Sequence, residues 1–99
     1  MLSEKLSLSW MHRFLEDCRL KALTVNTIFN YRKLLRCFVS SYGVDLGTCS
    51  REDLLRLMDA VSRRKRSYHR SVAIFVRQVL KFLGRVELVD LVVVPKGED

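Results

Sequence analysis

Positively charged side chains are concentrated in one part of this 99-residue sequence. Residues 61–85 hold eight Lys and Arg and no Asp or Glu, a charge of +8, while residues 1–23, 24–47, 48–60 and 86–99 carry +1, +2, −1 and −3. Guanidinium and ammonium groups at this density bind phosphate oxygens. A surface that only keeps a protein in solution normally mixes both signs of charge. The segment therefore favours a polyanionic partner, nucleic acid before a membrane surface.

The cations of this segment follow a helical pattern. Arg70, Ile74, Arg77 and Lys81 are separated by 4, 3 and 4 residues, which places them on one stripe of a helix. A run of four cations precedes the helix, and the small polar side chains beside it suit hydrogen bonds to phosphates or base edges. The residues expected to contact nucleic acid in this segment are Arg64, Lys65, Arg66, Ser67, Tyr68, Arg70, Arg77 and Lys81.

A second, smaller basic arc lies on an earlier predicted helix. Arg32, Lys33 and Arg36 fall on the side of that helix away from the apolar Leu35 and Phe38, so we expect them to contact the same partner. Two other interpretations stay open: a basic helical domain that binds an acidic protein, and a helical module that binds RNA. The salt dependence of binding and competition between duplex DNA and RNA distinguish these interpretations.

The sequence offers no complete catalytic or metal-binding set. Cys18, Cys37 and Cys49 form no C-x-x-C pair, and His12 and His69 are far apart, which does not supply the ligand spacing of a zinc site. We therefore predict no metal, no cofactor and no enzymatic activity for this chain alone. Reduced cysteines and the lack of a signal-peptide pattern or a long apolar run predict a cytoplasmic protein that does not bind membranes.

The elements that must position these residues are predicted to be helices. The sequence has one Pro and four Gly, too little turn chemistry for a β fold, and its 48% hydrophobic content fills one modest core. Apolar spacing predicts an all-α, compact four-helix bundle in residues 1–85. Residues 86–99 are predicted to form a short helical turn or strand and then a linker. The four helices are predicted at about Ser9–Leu23, Thr24–Tyr42, Ser50–Val61 and Ser67–Leu83.

Between about residues 9 and 95, the order of these features resembles the N-terminal core-binding (SAM-like) domain of tyrosine recombinases and phage integrases. The resemblance begins at Phe14-Leu15-Glu16 and continues through Leu23–Phe38, with its Thr-Ile pair, its tyrosine and the later Leu and Phe. It resumes at Arg66–Ser71 and Val76–Leu83, which look like the fourth helix of the family.

The resemblance implies a clamp on duplex DNA for recombination or integration, associated with the nucleoid. In this family the second and fourth helices face the major groove, and the partners are a C-terminal catalytic domain and other recombinase protomers. The family's catalytic arginines, histidine and tyrosine have no counterpart here. The chain is therefore expected to be a piece of a longer protein or a standalone regulator, and the linker-like end at Pro95–Asp99 favours the first.

Overall fold

Helices account for the regular secondary structure in the computed structural model, which describes residues 2–96 and the side chains of residues 10–96. Those residues contain no strand, and the all-α prediction is confirmed. The first helix begins earlier than predicted, and a short fifth helix follows the fourth. The helices are α1 (Leu2–Leu20), α2 (Val25–Tyr42), α3 (Arg51–Ser62), α4 (Arg66–Phe82) and α5 (Val86–Val89).

The internal contacts divide the chain into two compact units, Met1–Gly47 and Thr48–Asp99. In the first unit α1 packs against α2, and in the second α3 and α5 both pack against α4. Residues 86–92 lie where we predicted the start of a linker. Leu88, Val89 and Val92 are buried there, because this apolar stretch folds back onto α4.

The core of the first unit follows the helical spacing of its apolar residues. Phe14 and Cys18 of α1 and Leu35 and Phe38 of α2 are buried, as the spacing predicts. Tyr31 is half-buried, and its ring centroid lies 6.2 Å from that of Phe14. The remaining positions predicted for this core, Leu15, Ile28 and Tyr42, are also half-buried.

The segment after α2 is held against α1 by one carboxylate. Asp45 Oδ1 accepts hydrogen bonds from Trp10 Nε1 at 3.0 Å and from the backbone N–H of Gly47 at 2.8 Å. The indole passes so close to Gly47 that a Cβ added there would lie 2.5 Å from Trp10 Nε1. Glycine is therefore required at this position for steric reasons.

The second unit packs around the apolar face of α4. Leu54, Leu57, Met58 and Val61 of α3 are all buried, as predicted. The predicted residues Val72, Val76, Val79 and Leu80 of α4 are buried as well, whereas Leu83 is half-buried. Ala73 and Phe75 widen this face beyond the prediction. The helix surface on both sides of the valine stripe of α4 therefore contributes to the core of the second unit.

Three helices end with a residue in the left-handed conformation. Ala22, Gly43 and Gly84 have φ values of 64°, 65° and 75°. After Ala22 and Gly84 the next N–H bonds back to a carbonyl five residues earlier, the pattern of a Schellman motif, and after Gly43 it bonds to a carbonyl six residues earlier. The bonds are Leu23 N to Cys18 O at 3.2 Å, Val44 N to Phe38 O at 2.9 Å and Arg85 N to Leu80 O at 2.9 Å, the middle one spanning one residue more.

We expect Ala22→Gly to stabilise the protein by about 0.5–1 kcal/mol, because glycine removes the steric cost of the left-handed conformation at a smaller entropic cost. Gly43→Ala should have the opposite effect, about 1 kcal/mol, since only backbone strain acts there: an added Cβ meets no atom within 4 Å. Urea unfolding of both variants measures the two changes. A loss of stability in Ala22→Gly would contradict this account.

Candidate nucleic-acid interface

Four of the eight cations in residues 61–85 are engaged within the second unit. Arg63 pairs with Asp59 at 2.9 Å, and Arg85 donates to the carbonyl oxygen of Cys49 at 2.7 Å. The guanidinium of Arg64 lies over the ring of Tyr68, 4.8 Å from its centroid. These contacts fix side chains in place, and for Arg85 they tie the end of α4 to the segment before α3.

Arg77 is the fourth engaged cation. Its Nη1 donates to the carbonyl oxygens of Val89 and Val92, both at 3.1 Å, and its side chain is half-buried. It therefore fastens α5 and the chain after it to α4. Periodicity placed Arg77 on the same stripe as Arg70 and Lys81, but spacing within one helix carries no information about a later segment that folds back onto it.

The other four cations of this segment are exposed: Lys65, Arg66, Arg70 and Lys81. Among residues 10–96 none of them pairs with a carboxylate. Two acids of α3 have other partners, because Asp53 binds Ser50 and Arg56 while Asp59 binds Arg63. We define these four residues as the free cation set of the second unit.

The N-terminus of α4 carries two of these positive charges, Lys65 and Arg66, at the end of the helix where a positive charge is unfavourable. Its N-cap is Lys65, which makes no side-chain capping bond, and the first turn contains no acid. Cations near a helix N-terminus are repelled by the helix dipole, and the first N–H groups of a helix have no partners within it. Ser67 is exposed in this turn, beside the half-buried Tyr68. This helix start is thus suited to an external anion.

The start of α3 provides the contrast within the same unit. The Ser50 hydroxyl oxygen accepts a hydrogen bond from the backbone N–H of Asp53, and the backbone N–H of Ser50 donates to the Asp53 carboxylate, a capping box. The hydrogen bond from the Ser50 backbone lowers the pKa of Asp53. Glu52 adds a second acid in the first turn. The chain therefore caps one helix internally and leaves the next one uncapped.

The predicted residues of α2 lie in the first unit. Arg32, Lys33 and Arg36 are all exposed, and the ammonium of Lys33 lies 5.5 Å from the ring centroid of Phe29. Arg32 and Arg36 also border a cleft of about 110 Å³. The remaining residues that line this cleft are Met11, His12, Leu15 and Leu35.

The acids of the first unit are also engaged within it. Glu16 pairs with Arg19, and the Arg19 hydrogen bond lowers the pKa of Glu16. Asp17 pairs with Lys21 at 3.1 Å. Since Asp45 holds Trp10 and Gly47, the described side chains of this unit offer no carboxylate to the three cations of α2.

The cysteines occupy packing positions. Cys18 and Cys49 are buried and Cys37 is half-buried, with no disulfide among them. We predicted core positions for Cys18 and Cys37, so Cys37 is more exposed than expected. Burial raises the pKa of the Cys18 thiol, which opposes the thiolate form that a nucleophile needs. Within the described part of the chain, no group of three or more His, Cys, Asp and Glu is placed to hold a metal ion.

No helix in residues 2–96 combines the length and the apolar content needed to cross a membrane. Comparison of the chain with protein-family models, curated proteins and solved structures finds no match.

We expect Arg77→Ala to lower the free energy of unfolding by about 1–3 kcal/mol, because it removes two charge-assisted hydrogen bonds and leaves Val92 O without its donor, while Val89 O keeps the N–H of Val92. Lys81→Ala, on the same stripe but exposed, should change it by less than about 0.5 kcal/mol. Urea unfolding gives both values, and amide exchange should speed up at residues 88–92 in Arg77→Ala alone. Equal effects of the two substitutions would refute the fastening role of Arg77.

Proposed function

We propose that this chain binds duplex DNA, as the core-binding domain of a tyrosine recombinase or integrase. The observation that carries the DNA part is the start of α4, where unpaired cations surround an uncapped helix N-terminus. A phosphate at this position would remove the charge repulsion and also accept hydrogen bonds from the helix N–H groups.

Exposed cations that pair with no described carboxylate occur in both units. The free cation set of the second unit adds four such groups, and Arg32, Lys33 and Arg36 of α2 add three. A DNA backbone offers a regular array of phosphates, and its binding releases condensed counterions. An acidic protein would have to place its carboxylates to match each group separately.

The assignment to recombinases is supported by the resemblance of residues 23–38 and 66–83, which fall on α2 and α4. Under this proposal the two helices carry the DNA contacts, and a C-terminal catalytic domain and other protomers are the remaining partners. The protein would act on the nucleoid in the cytoplasm. Arg77 takes a positioning role here, since it sets the direction of the chain after residue 92.

The proposal is tested by measuring how residues 1–99 bind duplex DNA, with fluorescence anisotropy as the readout and salt concentration varied in a series. About five phosphate contacts predict a slope of log K against log salt of roughly −4 to −5. The triple variant Arg66→Gln, Arg70→Gln, Lys81→Gln should flatten the slope by about 2–3, since each lost contact removes roughly 0.9. The control variant Arg13→Gln, Arg19→Gln, Lys21→Gln removes the same charge elsewhere and should leave the slope near that of the original protein.

Other outcomes would overturn the proposal. Equal losses in the two triple variants would mean that net charge alone, rather than the start of α4, drives binding. A shallow slope in the original protein would favour an acidic protein partner. If RNA competed better than duplex DNA, the chain would be an RNA-binding module instead.

A further inference from the structure

Phe29 is a large apolar side chain on the outer face of α2. It is 57% exposed, whereas Phe38 on the same helix is 1% exposed. The two residues are nine positions apart, and at about 100° per residue this separation places them on opposite sides of the helix. The core of the first unit therefore lies behind Phe38 and gives no reason for a phenylalanine at position 29.

Apart from Val25, one turn earlier and 82% exposed, the residues around Phe29 on α2 are basic and polar. α2 contains three cations and no acid over its whole length. Lys33, one turn further along, places its ammonium 5.5 Å from the Phe29 ring centroid, and Asn26 and Asn30 are exposed beside it. Charge and amide groups of this kind bind phosphates and base edges. An apolar ring in their midst points to an apolar group on the same partner.

Duplex DNA presents such a group in one place. The major groove admits an α-helix, and the apolar group that base edges display there is the C5-methyl of thymine. The minor groove, roughly 6 Å wide, does not admit a helix. A ring in the N-terminal half of α2, with cations in the following turns, matches a helix whose early residues meet bases while later ones meet phosphates.

We propose that Phe29 contacts the C5-methyl group of a thymine in the major groove and so contributes to the choice of DNA site. This proposal rests on the proposed function. The flanking amides of Asn26 and Asn30 are placed to bond neighbouring base edges, and Arg32, Lys33 and Arg36 to hold the phosphates. Phe29 is then a specificity-determining residue and not a source of general affinity.

The experiment first selects a preferred duplex from a random library with the original protein, then replaces its thymines one at a time by uracil, which removes only the methyl group. At one or two positions the original protein should lose about three- to fivefold in affinity, the value of one buried methyl. Phe29→Ala should bind the thymine and uracil duplexes equally. Leu55→Ala also removes an exposed apolar side chain, at a 43% exposed position on α3, and should distinguish the thymine duplex from the uracil duplex as the original protein does.

Phe29→Ala should have the same melting temperature as the original protein, because the Phe29 ring lies outside the core. If each uracil duplex affects Phe29→Ala and the original protein alike, the contact does not exist. The same conclusion follows if no preferred duplex emerges while salt-dependent DNA binding persists, and the proposed function then survives alone. If no duplex binds at all, the proposed function fails together with this inference.

Discussion

The first turn of α4 places like charges at the end of a helix that already carries a partial positive charge. Lys65 and Arg66 begin the helix and Arg70 follows one turn later, without a capping bond or an acid in that turn. Among the described residues no carboxylate pairs with these three cations, and Asp53 and Asp59 of α3 are bound to Arg56 and Arg63. The energetic cost lies in the free protein. An external polyanion at this helix start would relieve it.

α4 serves two purposes that compete for its surface. Its valines and Phe75 form the core of the second unit, and Arg77 and Arg85 bind main-chain carbonyls of the segments around it. What is left for a partner is the start of the helix and Lys81. The packing therefore withdraws Arg77 and Arg85 from a partner, whereas Arg63 and Arg64 are exposed and have partners within the unit.

Much of the fold could be predicted from local patterns, because these depend only on residues close in the sequence. Such patterns are the helix periodicity, the N-caps at Thr24 and Ser50 and the helix ends at Gly43 and Gly84. Contacts between distant segments could not. Nothing in the spacing of Arg77 indicates that Val89 and Val92 fold back onto it. Ala22 adopts the left-handed conformation after α1, a position where glycine is the usual residue, so its conformation was not predictable from its type. In the candidate interface, charge and helical spacing indicate the basic residues, whereas the exposure of Phe29 is a property of the folded chain that neither pattern indicates.

The claim that the start of α4 binds phosphate is tested most directly by Lys65→Asp, read out by stability and by affinity for duplex DNA. Lys65 is the N-cap of α4, where an aspartate can cap the helix. Aspartate there supplies a cap and a favourable charge, so the free protein should gain about 1 kcal/mol in stability while its affinity for duplex DNA falls. Lys96→Asp makes the same change of charge away from a helix start and should do neither. Unchanged DNA affinity in Lys65→Asp, with or without a gain in stability, would contradict the claim that the start of α4 binds phosphate.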